Sequence, residues 1–535
     1  MDFDVMNDPY SSRRSAIYAG NGMVATSQPL AAQAGLDMLK KGGNAVDAAI
    51  AAAAALTVVE PTSNGIGGDA FALVWFRGKL HGLNASGPAP QRISIDSLRE
   101  AGYDRMPMYG FSPVTVPGAP AAWAELAAAF GKLPLAEVME PAIRYAEEGF
   151  PLSPVVGSSW QGAIRYFRER LQGPEFQSLF DTFAPKGKIP GIGEIWSSPD
   201  HAKTLKIIAE TNADAFYRGE LAEKLDRFSK QYEGYLRIED LAAYKPEWVE
   251  PISVNYRGYD VWELPPNGSG LVALMALNIL KGFEFTQRDT VDTYHKQLEA
   301  MKLAYADGKA YISDPRTMSV RSEELLSDAY ARERRRLIGS SALQPAPGRP
   351  PQGGTVYLCT ADRDGNMVSF IQSNYMGFGS GLVVPGTGIA LHNRGYGFTL
   401  DKNHSNCLEP GKKPYHTIIP GFLSKNGRAV GPFGVMGGAM QPQGHLQILM
   451  NTIDFHLHPQ AALDAPRWQW VEGKNVEFEL TTPRSIVDKL ARMGHDIRWS
   501  PSSGSFGRGQ IIWRLDNGTL VGGTESRTDG QIAAW

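Results

Sequence analysis

Apolar and polar positions are arranged in two different ways along this chain, and the change falls near residues 344–354. The N-terminal third is Ala-rich and helical in pattern. Ser27 is placed to cap a first helix that runs to Lys40 and Lys41 and stops at Gly42-Gly43. Asn44 starts a second helix with Asp47 in its first turn, ending before Pro61. That second helix is apolar nearly all round, which predicts burial between layers. The Gly-rich turn Asn64 to Ala70 follows, and then two strands across FALVWFRGKLHGLN joined at Arg77-Gly78-Lys79. From Pro120 to Ala310 the pattern predicts mainly helices, among them 121–130, 202–210 and 294–311. The basic run at 332–336 reads as a solvated helix face.

The stretch Gln344 to Gly354 is rich in Pro and Gly and reads as an exposed, flexible linker. Beyond it the pattern turns β-rich. TVYLCTA and MVSFIQS flank a tight DRDGN turn, and GIALHN, TIIPGFLS and GPFGVMGGAM follow. A helix is expected near 443–455 and strands near 475–480 and 509–515. There is no internal repeat and no Rossmann unit, so the class is α/β or α+β with much sheet in the C-terminal third.

Composition narrows the function classes. The chain has 53 Lys+Arg against 56 Asp+Glu, for a formal net charge of −3. A near-neutral balance argues against a nucleic-acid binder or a partner of acidic membranes, both of which need a basic face. Two cysteines, Cys359 and Cys407, make neither a disulfide framework nor a metal knuckle and point to a reducing compartment. The first twenty residues carry early acidic groups and no continuous apolar core, so no secretory signal is read there. The longest apolar run, Ala48 to Val59, is too short to cross a bilayer. A cytoplasmic protein is the expectation.

Few positions suggest chemistry. At Gly353-Gly354-Thr355 the linker meets a strand, where a hydroxyl can attack the preceding carbonyl. Once freed, the α-amine of Thr355 can act as base for its own hydroxyl. The same residues also suit an ordinary strand start. Gly437-Gly438, ahead of a helix, can present backbone N–H groups to an oxyanion, or can simply make a tight strand-to-helix turn. His456 and His458 lack partners at metal-ligand spacing and read as structural. There is no HExxH, P-loop or GxSxG motif.

Taken together, MVATSQPLAAQAGLDMLKKGGNAVDAAIAAAAALTVVEPTSNGIGGDAF (23–71), TVPGAPAAWAEL (115–126), DAFYRGELAEKL (214–225), LPPNGSGLVALMALNIL (264–280), LAYADGKAYISDP (303–315), the Thr355 segment, VMGGAMQPQG and GGTESRTDGQIAAW resemble a γ-glutamyltransferase (γ-glutamyltranspeptidase) proenzyme of cytosolic bacterial type. The resemblance runs nearly end to end and in order. It implies an α+β N-terminal nucleophile hydrolase, an αββα four-layer sandwich. The chain would be cut at Gly354-Thr355 into a large region, 1–354, and a small region, 355–535, that remain together as a heterodimer. It further implies Thr355 as nucleophile and amine base, Gly437 and Gly438 as oxyanion hole, Ser373 orienting the nucleophile, and a small-molecule amide as substrate. No metal or organic cofactor, nucleic acid or membrane partner is implied.

The departures concern specificity. An Arg that binds the glutamyl α-carboxylate in the family is missing from the segment Ser86-Gly87-Pro88-Ala89-Pro90, and Gly397 stands where an Asp grips the α-amine. Arg394, beside Asn393, replaces a Gln; His416 and Thr417 replace paired serines; Tyr375 replaces an Asn. The stretch 399–413 is shorter than the usual lid. Ser86, Tyr375, Asn393, Arg394, His416 and Thr417 are therefore the candidate substrate-binding residues. In one reading Arg394, aided by His392, His416 or Tyr375, holds a carboxylate placed differently on the substrate; in the other it pairs with a neighbouring acidic side chain. The resemblance thus leaves a glutathione-hydrolase-like enzyme, an amidase of the cephalosporin-acylase or oxamate-amidohydrolase kind, and an uncut, non-catalytic binding homologue.

Overall fold

The structure is a computed structural model that describes residues 14–345 and 354–535. Most of the expected linker, 346–353, and the first thirteen residues lie outside the described residues. Two seven-stranded antiparallel sheets form the centre. One runs, strand by strand, Gln531–Ala534, Gly22–Thr26, Gly354–Asp362, Met367–Tyr375, Asp69–Phe76, Lys79–Ala85 and Glu247–Val249. The other runs Ile17–Ala19, Leu520–Thr524, Arg508–Arg514, Arg428–Met436, Gly421–Lys425, Tyr259–Glu263 and Ile252–Tyr256.

An apolar layer between the sheets takes Phe71, Tyr357, Cys359 and Ile371 from the first and Phe422, Met436 and Ile512 from the second. Helices cover both outer faces. Pro29–Lys40 and Ala45–Val59 lie on the first sheet, and Gly270–Leu280, Val291–Tyr311 and Met440–Ile453 on the second. The result is the four-layer αββα sandwich of an α+β protein. No helix among the described residues is long and apolar enough to cross a membrane.

Local sequence explains the placement. Every residue of Ala45–Val59 is buried, as its all-round apolar surface requires. Asn44 and Asp47 form a capping box, and Asp47 also accepts the Lys132 and Leu133 N–H groups. The first helix differs from expectation. It is capped by the Gln28 side chain rather than by Ser27, whose hydroxyl donates to the buried Glu60 carboxylate 2.5 Å away. Within 120–310, where helices were expected, the strands Glu247–Val249, Ile252–Tyr256 and Tyr259–Glu263 appear as well. The last two turn at Arg257-Gly258, both with positive φ as a tight hairpin demands. The basic run is only partly solvated. Arg334 pairs with Asp307, and Arg335 donates to the Ile279 and Asn278 carbonyls at the C-terminal end of Gly270–Leu280. His458 caps Pro459–Asp464 by accepting from the Ala461 N–H.

One contact presses the two sheets together beside the candidate nucleophile strand. A Cβ on Gly434 would lie 2.5 Å from the Tyr357 ring, which is held by a 2.8 Å hydrogen bond with Ser369. Gly434→Val is therefore expected to cost about 1–3 kcal/mol through overpacking, read as a lowered thermal midpoint.

Candidate active site

Thr355 is the second residue of Gly354–Asp362, and the ladder to Met367–Tyr375 slips there: Gly354 pairs with Tyr375, but Val356 pairs with Gln372. A bulge of this kind re-aims a side chain at the end of a strand. The Thr355 Oγ1 lies 3.1 Å from Ser373 Oγ, and the Tyr375 N–H donates to the same Ser373 oxygen at 2.7 Å. With one lone pair of Ser373 taken by that amide, its proton is available for Thr355 Oγ1. Thr355 is 1% exposed in the uncut chain.

On the facing sheet, Arg428–Met436 ends at Gly437 and Gly438, with φ of 132° and 60°, before helix Met440–Ile453 begins. Side chains disfavour such backbone angles, and the pair sets two N–H groups at a helix N-terminus, where negative charge is stabilised. The Gly434–Tyr357 contact places the two strands face to face two residues past Thr355 and three before Gly437.

Two cavities flank this point, sharing Met108, Met376 and Ala439. The larger, of about 740 Å³, has aromatic walls from Tyr305, Tyr375, Tyr396, Phe398 and Tyr415 and polar ones from Ser269, Asn406 and Thr417. Its ionisable lining is basic: Arg105, Lys309 and His404, with no Asp or Glu. Burial pushes Lys309 down to about 8, opposed by the charge of Glu472. The Tyr305 hydroxyl donates to the Ala439 carbonyl and so ties the wall to the Gly437-Gly438 turn. The smaller cavity, of about 530 Å³, is lined by Gly437 itself.

The candidate binding residues divide. Tyr375 and Thr417 line the larger cavity. Asn393 lies behind it, accepting from the Met376 N–H and donating to the Met108 carbonyl. Ser86 is fully buried against Asn84 and Asn267, outside that cavity. Arg394 is not free for a substrate carboxylate. It is 1% exposed, pairs with Asp69 through Nε (2.7 Å) and Nη2 (3.2 Å), and donates from Nη1 to Thr417 Oγ1. Its guanidinium stacks 4.3 Å from the centre of the Tyr375 ring.

His416 donates from Nε2 to Asp69 at 2.7 Å and accepts the Ile418 N–H at Nδ1. His392 Nδ1 lies 3.2 Å from Asp69, with Nε2 beside Thr115. Asp69 is therefore the residue that sequence reasoning missed. The signal was present in Gly67-Gly68-Asp69, a carboxylate opening a strand that is otherwise apolar, which obliges a buried cation somewhere else in the chain.

Burial opposes ionisation of Asp69, yet Arg394, His416 and His392 outweigh it and hold the carboxyl well below its usual range. Burial and the neighbouring Arg394 push His416 down to about 4. Both shifts act in the same direction with pH. A depressed His favours the fold above its unfolded value near 6.5 and loses that contribution as pH falls toward 4; a depressed Asp loses its own below about 4. The expected outcome is progressive acid destabilisation across this range, read by thermal melts, with a shallower decline between pH 6.5 and 4 in His416→Gln. At neutral pH, Asp69→Asn strands the Arg394 charge and is expected to cost about 3–5 kcal/mol, more than the double variant Asp69→Asn/Arg394→Met.

Comparison with known proteins agrees with this architecture. Residues 31–535 match the γ-glutamyltranspeptidase family. The chain is 37% identical over 524 residues to a glutathione hydrolase-like proenzyme (YwrD) of Bacillus subtilis, covering 95% of this chain and 97% of that one. It is 33% identical to an oxamate amidohydrolase proenzyme of Klebsiella pneumoniae, over 96% and 98% of the two chains. The crystal structure of a cephalosporin acylase from Bacillus halodurans superposes with a TM-score of 0.98 at 64% identity, over 100% and 99%. A chain matched along nearly its whole length by such proenzymes and acylases belongs to the γ-glutamyltranspeptidase family of N-terminal nucleophile hydrolases and is an enzyme.

Proposed function

We propose that this enzyme cuts its own Gly354-Thr355 bond and then hydrolyses a small N-acyl amide that carries a negative charge and is not an ordinary γ-glutamyl compound. In self-cleavage the Thr355 hydroxyl adds to the Gly354 carbonyl and the peptide C–N bond breaks. The hydroxyl proton passes to the departing nitrogen, and water hydrolyses the resulting ester to leave Gly354 as a carboxylate. The freed Thr355 amine then serves as base for its own hydroxyl in attack on substrate. Ser373 orients that hydroxyl, and the Gly437 and Gly438 N–H groups stabilise the tetrahedral oxyanion. Water releases the acyl group. The observation that carries this reading is the 3.1 Å contact between Thr355 and Ser373, at the head of a strand that follows the Pro/Gly-rich stretch.

The substrate class rests on the larger cavity. Its aromatic walls and its basic, acid-free ionisable lining suit an acyl group with an anionic end. Arg394 is engaged by Asp69 and does not reach for that end. No carboxylate lines the cavity to grip an α-ammonium, so a γ-glutamyl zwitterion would bury its positive end beside positive groups. Cephalosporin and oxamate, named for the relatives, both bear a carboxylate, which fits the same preference.

Intact-mass analysis is expected to give fragments 1–354 and 355–535 for the wild type and one uncut chain for Thr355→Ala. A wild type that stays uncut overturns the reading in favour of a non-catalytic homologue. On processed enzyme, kcat/KM for glutaryl- and oxamate-type amides should exceed that for γ-glutamyl amides by about tenfold or more, the value of one charged contact. Arg105→Ala or Lys309→Met should raise KM for the anionic amides by about tenfold while leaving uncharged acyl amides little changed. Ser373→Ala should lower kcat by about a hundredfold. A γ-glutamyl preference would return the enzyme to the glutathione-hydrolase class.

A further inference from the structure

Away from the cavities, helix Val291–Tyr311 turns His295, Glu299 and Lys302 onto one face, where they meet His495, a residue of the C-terminal region. All four side chains are buried. Their hydrogen bonds admit one consistent assignment. His295 Nε2 donates to the Gly339 carbonyl (2.9 Å), which leaves its Nδ1 to accept from His495 Nε2 (2.9 Å). His495 Nδ1 then accepts from Lys302 Nζ at 3.3 Å. The other two protons of Lys302 go to Glu299 Oε1 (2.7 Å) and the Leu343 carbonyl (3.3 Å), and Glu299 Oε2 accepts the Leu343 N–H at 2.9 Å. Beside them Ala342 N–H donates to the Met493 carbonyl.

His295, Glu299 and His495 lie close enough together to share a metal ion. The ammonium of Lys302 already supplies the cation, however, and both imidazoles are fully used in the neutral form. What the cluster grips is backbone, at Gly339 and at both polar groups of Leu343. This is the last anchored stretch before residues 344–354.

We infer that the Glu299–Lys302–His495–His295 cluster is a clamp that fixes the upstream end of the cleavage segment and so positions the Gly354-Thr355 bond for attack. The inference rests on the proposed self-cleavage. A scissile bond tethered at Leu343 on one side and by the Thr355 strand on the other samples fewer conformations than one tethered farther back. The four side chains are positioning residues: they touch neither the nucleophile nor the substrate cavity.

The test uses the full-length precursor. Lys302→Met alone strands the Glu299 charge and can fail to fold, so the double variant Glu299→Leu/Lys302→Met, which removes charge and clamp together, is the decisive one. Conversion of fresh precursor to two fragments should slow by about threefold or more, the effect of roughly doubling the free tether. The kcat of the double variant after full processing should stay within about twofold of the wild type, with an intact far-ultraviolet spectrum. Wild-type cleavage by the folded double variant overturns the clamp, as does a kcat that falls in proportion to the cleavage rate. Stoichiometric metal in wild-type protein that is lost in His295→Asn also overturns it. A wild type that never cleaves fails at the earlier step and is recognised separately, because Thr355→Ala then behaves identically.

Discussion

The carboxylate of Asp69 is fully buried and satisfied by four donors from three separate segments: Arg394 twice, His416 and His392. A lone carboxylate could not survive there, since desolvation alone would neutralise it. The ion pair makes Asp69 tenable, and the two neutral imidazoles fill its remaining lone pairs without adding charge. The cavity walls follow from this arrangement. Arg394, once fixed by Asp69, stacks on Tyr375 and holds Thr417, and both of these face the larger cavity. Tyr375 in turn gives its amide to Ser373, which contacts Thr355. A charge pair that binds no substrate thus reaches the nucleophile through two side chains and one backbone N–H.

The network also explains why losing one polar residue from a family site does not simply leave a gap. An Arg at 394 beside an apolar core is acceptable only with a partner, and Asp69 is that partner. The pair leaves the charge of the cavity wall to Arg105, Lys309 and His404, which stand on other elements. Recognition of charge has in this way moved from the floor of the site to its rim.

Much of the frame was legible in the sequence because local rules decide it. The capping box at Asn44 and Asp47, the all-apolar surface of Ala45–Val59, the turn at Arg77-Gly78 and the hairpin on either side of 362–366 all follow from short-range preferences. The failures involve long-range partners. Ser27 is a good cap in isolation, but Glu60, 33 residues away, claims its hydroxyl. The strand pair Ile252–Tyr256 and Tyr259–Glu263 is defined by an edge of the second sheet that only the C-terminal region builds. Of the candidate site, the Thr355–Ser373 contact and the glycine turn lie where their motifs suggested. The partner of Arg394, 325 positions away, could be named as acidic but not located.

The order of strands carries a further consequence. In each sheet, strands that precede residue 344 alternate in blocks with strands that follow residue 354: Gly22–Thr26 lies between Gln531–Ala534 and Gly354–Asp362, and Ile17–Ala19 pairs with Leu520–Thr524. A break in the chain between them severs one covalent bond and no ladder. The two pieces would hold together without regard to dilution on ordinary timescales, because parting them means tearing both sheets. Once torn apart they would be two chains searching for each other, no longer one chain closing on itself. Such a molecule is durable in its folded state but has little means of return, and its lifetime is set by the rate of first opening rather than by an equilibrium.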